Sequence, residues 1–143
     1  MGKISMGRVI VAGIVAGLVA DVLGYLVDGV LLAPQWADGM KALGHADFSP
    51  NMWIWFNALG LVSGIALIWI YAAIRPRFGA GAKTAVCAGL VVWVVGALLP
   101  NLSFMWVAGL FSHRLMLMTT LGALVEILAG AIAGAALYQE SAG

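Results

Sequence analysis

Apolar residues in this chain neither alternate with polar ones nor keep to one helical stripe; they run on for whole stretches. Four such stretches stand out, from about Val9 to Leu32, from Met52 to Ile74, over 84–104 and over 115–138. A bilayer core about 30 Å thick is crossed by about 20 helical residues, and each stretch has that length. None shows the two-residue period of a membrane barrel strand. Backbone groups in hydrocarbon must bond to one another, so the spans are expected as helices. The pattern predicts an all-α, polytopic membrane protein: four transmembrane helices in one bundle, forming a single domain over 1–143.

Polar and helix-breaking residues mark the ends. Arg8 opens the first stretch, and Ala33-Pro34 closes it. The second stops at Arg75-Pro76-Arg77. The third begins after Lys83 and reaches Leu99-Pro100, with a continuation to Leu110 left open. The fourth follows Arg114 and ends near Tyr138. Residues 33–51 form the one long loop, within which Gln35 to Leu43 is expected as a short amphipathic helix in the interface, ended by Gly44. Phe78-Gly79-Ala80-Gly81-Ala82 reads as a flexible turn, and the chain ends are too short for a soluble domain. Lys3 and Arg8 resemble the basic start of a signal peptide. However, the apolar run of about 24 residues exceeds the usual 7–15 and Asp21 interrupts it, so the first helix is expected to be retained.

Basic residues set the orientation. Lys3, Arg8, Arg75, Arg77 and Lys83 fall on one side, and only Lys41 and Arg114 on the other. Both termini are therefore expected in the cytoplasm. Trp36, Trp53, Trp55 and Trp106 would lie near the outer interface, and Tyr71, Phe78 and Tyr138 near the inner one.

Composition sharpens the class. The chain is 64% hydrophobic and 9% charged, with a formal charge of +1, against about 45–50% and about 25% in soluble domains. Those values exclude a basic nucleic-acid binder, an acidic disordered tail and an ordinary soluble enzyme. The single cysteine, Cys87, excludes an internal disulfide and a Cys-based zinc site, and reads as a small packing residue.

Helices in lipid associate through close approach of small residues. Gly13-x-x-x-Gly17, Gly60-x-x-x-Gly64 and Gly130-x-x-x-Gly134 supply such faces in the first, second and fourth helices. They serve either packing within one bundle or association between copies. At an offset of 76, Ala12-Gly13-x-Val15 matches Ala88-Gly89-x-Val91, which raises a duplicated hairpin, although Leu59-Gly60 matches Leu121-Gly122 at a different offset.

Charge also occurs at the wrong depth. Asp21 lies near the middle of the first helix and Glu126 near the middle of the fourth, and no Lys or Arg lies within any span. An ionised carboxylate there costs several kcal/mol, so each acid should be neutralised or face a polar cavity. If adjacent, the two should share a proton or hold a cation between them. Gly17, Asp21, Gly24 and Asp28 share one stripe with Tyr25 beside it, and Gly122, Glu126, Gly130 and Ala133 form another. Asn57 shares the Gly60/Gly64 face, while Asn101 and Ser103 follow Pro100. The expected polar interior runs from Glu126 and Asp21 through Tyr25, Asp28, Asn57 and Asn101. A purely structural role, with protonated acids acting as helix glue, fits the same residues.

Other chemistry is thin. His45 and His113 could join Asp38 or Asp47 on a metal, yet no ligand spacing supports it, and neither histidine lies in a span to hold haem. Trp69 and Trp93 read as bundle core. Arg75-Pro76-Arg77 reads as a stop and topology anchor, with anionic-lipid contact as the sharper reading. No catalytic motif, cofactor site or metal site is expected.

A first helix leading to Trp36 and then Met40-Lys41-Ala42-Leu43-Gly44, followed by three more helices, resembles small bacterial four-helix membrane proteins of unknown function. The resemblance implies a bacterial cytoplasmic (inner) membrane and no site residues. Two functions follow from the residues themselves. The first is a non-enzymatic bundle that self-associates as a homo-oligomer or serves a larger membrane complex. The second is a small proton- or cation-coupled transporter or channel using Asp21 and Glu126. Lipid is the expected surrounding, and nucleic acid is not an expected partner.

Overall fold

Without water to satisfy the backbone, an apolar chain winds into helices long enough to cross the hydrocarbon. The computed structural model describes residues 3–45 and 49–138. Its four long helices are α1 (Met6–Leu31), α3 (Pro50–Phe78), α4 (Ala82–Ala108) and α5 (His113–Leu137), of 26, 29, 27 and 25 residues. A fifth, α2 (Ala33–Ala42), follows α1 after the bend at Leu32. No strand occurs among the described residues. The chain is an integral membrane protein by this architecture, its outer surface covered with apolar side chains such as Leu31, Trp55 and Val107, respectively 70%, 69% and 86% exposed.

The helix ends follow local chemistry. Ser49 Oγ accepts from the Met52 amide at 3.4 Å, and Ser112 Oγ from the Leu115 amide at 3.2 Å, so α3 and α5 each start on a serine cap. The expected stop at Arg75-Pro76-Arg77 comes late. Helix α3 runs on to Phe78 with Pro76 inside its last turn. Gly79, at φ 83°, then closes the helix by donating to the Arg75 carbonyl at 2.8 Å. Helix α2 ends through Gly44 at φ 78°, with the His45 amide reaching the Met40 carbonyl at 3.0 Å.

Three segments wind more widely as π-helix: Tyr25–Leu31 at the end of α1 away from the termini, and Val94–Leu98 and Ser103–Ala108 in α4. In the first, the Leu32 amide reaches back five residues to the Val27 carbonyl at 2.8 Å. Such turns concentrate at functional sites.

Helix α1 sits between α3 and α5, and α4 closes the ring by packing on α5 and α3. The α1–α3 contact is backbone on backbone. A Cβ at Gly17 would stand 2.7 Å from Leu61 Cα and 2.8 Å from the Gly60 carbonyl oxygen, and one at Gly64 would strike Gly13 and Gly17. The α1–α5 contact uses smaller steps: a Cβ at Gly134 would stand 2.8 Å from the Ala12 carbonyl oxygen, and Gly130 lies against Ala16. All three small-residue faces thus pack within one chain. Against α4, by contrast, Gly89 meets side chains, a Cβ there standing 2.9 Å from Leu128 Cδ2. The two hairpins, α1–α3 and α4–α5, are therefore joined in different ways.

Two apolar cores result. Val9, Ala16, Ile68, Tyr71, Ala85 and Tyr138 belong to the larger, which fills the end where both termini lie. Leu32, Met105, Leu115 and Met116 form the smaller at the opposite end. Helix α2 covers this second core: Trp36 meets the Phe111 ring edge-on at 5.2 Å and Met40 is buried. The bundle therefore holds one side of this helix.

Gly64→Ala is expected to destabilise the protein by about 1–3 kcal/mol, because the new methyl meets backbone that cannot turn aside. Gly96→Ala, where a Cβ meets nothing within 4 Å, should stay within about 0.5 kcal/mol of the parent. Unfolding in mixed micelles compares the two.

Candidate functional site

Between the two cores lies a layer of polar groups on α1 and α5. The local reason is space. A Cβ at Gly60 of α3 would overlap the Asp21 carboxyl oxygens, so that glycine forms a notch into which the acid fits. Glu126 uses a second notch. A Cβ at Gly24 of α1 would stand 3.3 Å from Glu126 Oε2, and one at Gly122, a turn earlier in α5, 3.4 Å from Oε1. Asp21 therefore lies against α3 and Glu126 against α1, three residues along from Asp21.

Glu126 Oε1 is buried and receives no hydrogen bond. Its charged neighbours are the carboxyls of Asp28 and Asp21. No Lys or Arg occurs between Arg8 and Lys41, between Lys41 and Arg75, or after Arg114. The layer therefore carries three acids and no internal base.

Asp28 is held firmly. Its Oδ1 accepts from Trp36 Nε1 at 3.0 Å and from Thr119 Oγ1 at 3.0 Å. One carboxyl oxygen thus ties α1 to α2 and α5, and the π-wound turn of α1 carries it there. Thr119, Gly122 and Glu126 lie three and four residues apart, on one face of α5.

The remaining candidates lie elsewhere. Tyr25 is 57% exposed, its ring edge-on to Trp53 at 6.0 Å. Asn57 is exposed, and its Nδ2 donates to the Trp53 carbonyl of its own helix at 2.7 Å. Asn101 Nδ2 donates to Thr120 Oγ1 at 2.8 Å, and Trp93 Nε1 to the Thr120 carbonyl at 2.8 Å. These last bonds stitch α4 to α5 through Thr120, which donates in turn to the Met116 carbonyl at 2.6 Å. Neither amide joins the carboxyls. His113 stacks on Trp106 at 5.0 Å, His45 is exposed beyond α2, and Asp47 lies outside the described residues. Among the described residues, no three His, Cys, Asp or Glu side chains converge to hold one metal ion.

Sequence reasoning passed over Trp36 and Thr119 as polar partners. Thr119 carried a usable signal, since it precedes Glu126 by seven residues on the same face. Trp36 carried none, because an interfacial tryptophan is as readily a membrane anchor.

Asp28→Asn keeps the accepting oxygen and should leave stability near that of the parent. Asp28→Leu strands the Trp36 and Thr119 donors and should cost about 1–3 kcal/mol. Denaturation in detergent separates the two outcomes.

No protein family, curated protein or solved structure matches this chain. The resemblance carried by Trp36 and Met40-Lys41-Ala42-Leu43-Gly44 accordingly contributes no functional residue.

Proposed function

We propose that this integral membrane protein is a small proton carrier whose acid layer, Asp28, Glu126 and Asp21, takes up and releases protons during its cycle. The observation that carries the reading is the Glu126 carboxyl: one oxygen buried without a hydrogen bond, two acids as neighbours, and every Lys and Arg of the four long helices confined to a first or last turn. Three carboxylates cannot all stay ionised there cheaply, because repulsion adds to desolvation. A neutralising occupant is required. A proton suits the geometry better than a cation, since the acids do not converge on one point.

The surroundings favour a carrier over an open channel. Towards the termini, the acid layer is sealed by the core containing Val9, Ala16, Ile68 and Tyr71. Towards the other end, Asp28 is reached through Trp36 and Thr119. Release on the far side requires the helices to part, as alternating access demands. The reading as a self-associating or accessory subunit of a larger complex drew on three glycine faces that are used inside the chain. Both termini are proposed to lie on the cytoplasmic side of a bacterial inner membrane, because Lys3, Arg8, Arg75, Arg77 and Lys83 are gathered there.

Purified protein in vesicles loaded with a pH-sensitive dye should speed the decay of an imposed pH gradient when valinomycin and potassium clamp the potential. Glu126→Gln and Asp28→Asn should return the rate to that of protein-free vesicles, while Asp38→Asn on the exposed face of α2 should not. Parent protein no faster than empty vesicles would falsify the proposal. For topology, alkaline phosphatase fused after Gly44 should be active and after Tyr138 inactive; the reverse pattern inverts the orientation.

A further inference from the structure

The seam between α1 and α3 changes character along its length. Around Gly13, Gly17, Gly60 and Gly64 it is closed backbone on backbone, and beyond Gly60 side chains fill it. The contacts Gly13–Ile65, Gly17–Leu61 and Tyr25–Trp53 advance by four residues on each helix, which sets Asp21 level with Asn57. Asp21 is only half-buried there, flanked on α1 by Leu18 and Val22 of the apolar outer surface, 51% and 61% exposed. About 15 Å of helix separates it from the end of α1 at Leu31. The surroundings that reach this carboxyl from outside the bundle are therefore hydrocarbon.

Three groups lie along the open side of the seam, and each attracts positive charge. Among the described residues no donor bonds the Asp21 carboxyl, and the charge beside it, Glu126, has its own sign. Asn57 is exposed, and because its Nδ2 is taken by the Trp53 carbonyl, its Oδ1 remains to accept. Tyr25 stands one turn from Asp21 on α1 and is held edge-on to Trp53, with more than half of its surface open. A ring face draws cations through its quadrupole, most strongly where water is absent. A compact metal ion would need converging oxygens, which the described acids do not provide. A bulky cation with its charge spread under apolar groups needs only one carboxylate and an aromatic face.

We propose that the open side of this seam binds a lipophilic organic cation, an ammonium or phosphonium with apolar substituents, taken up sideways from the bilayer. The substituents carry it into the hydrocarbon, and its charge meets the one carboxyl that half-faces the lipid. As a cargo it rests on the proton-carrier reading: the Asp21 carboxyl gives its proton to water as the cation arrives, so the charge stays balanced and the two occupants exchange. Binding itself needs only the seam.

The test uses the full chain in uncharged detergent, with labelled tetraphenylphosphonium followed by equilibrium dialysis. The parent should bind it saturably, and triphenylphosphine oxide, similar in shape but uncharged, should bind at least about tenfold more weakly. Asp21→Asn should lower the affinity for the phosphonium by at least about tenfold. Tyr25→Leu, a change at an exposed position, should lower it by about threefold to tenfold, whereas Tyr25→Phe keeps the ring and should stay within about twofold. Asp38→Asn on α2 should match the parent. Equal binding by the parent and Asp21→Asn, equal binding of the oxide, or full affinity in Tyr25→Leu overturns the proposal. So does a parent dimer that Asp21→Asn dissolves, because a second chain would then cover the seam. Proton decay in dye-loaded vesicles with no phosphonium binding removes this inference and leaves the carrier. Saturable binding lost in Asp21→Asn, with no proton decay, supports the site and removes the carrier.

Discussion

Everything in this bundle depends on how closely α1 approaches α3. Hydrophobicity does not hold helices together in lipid, because the tails are as apolar as the side chains. Contact must come from fit, and here the fit is backbone on backbone at Gly13, Gly17, Gly60 and Gly64. The missing side chains serve a second purpose. Gly60 leaves the hollow that takes the Asp21 carboxyl, and Gly24, further along α1, leaves the one beside Glu126. Close packing and the housing of charge thus come from one kind of residue on the same helices.

The three acids are treated unequally. Asp28 is given two donors and ties three helices together. Glu126 is given neighbours of its own sign and an oxygen without a donor. A layer built only for cohesion would satisfy each acid, since an unmet polar group in hydrocarbon costs more than a bond there returns. The imbalance at Glu126 is what separates this layer from the stitch between α4 and α5, where Thr120 meets Trp93 and Asn101 with ordinary neutral bonds.

The four spans were legible in the sequence because a bilayer demands a length, and the apolar runs have it. Their boundaries were off where winding continued past a signal, as at Pro76 near the end of α3. Asp21 and Glu126 stood out through depth alone. Which neighbour each acid faces was not legible. A 3.6-residue period gives a face but does not say which helix covers it, and it fails once winding changes. Past Gly24, Asp28 lies in the π-wound turn and meets Thr119 and Trp36. Asn57 misled for a different reason, because an amide in a helix can bond the carbonyl one turn back.

The placement of α1 between α3 and α5 also sets an order of assembly. Chains enter the membrane from the N-terminus, so α1 and α3, neighbours in sequence, can interlock while later spans are still being made. The α1–α5 face cannot form until the last helix arrives. During that interval Asp21 has its place against Gly60, but Asp28 lacks Thr119 and Glu126 has not yet entered the bilayer. The acid layer therefore comes into being with the final span, and a chain cut short before α5 keeps the α1–α3 contact but neither the α1–α5 packing nor the completed acid layer.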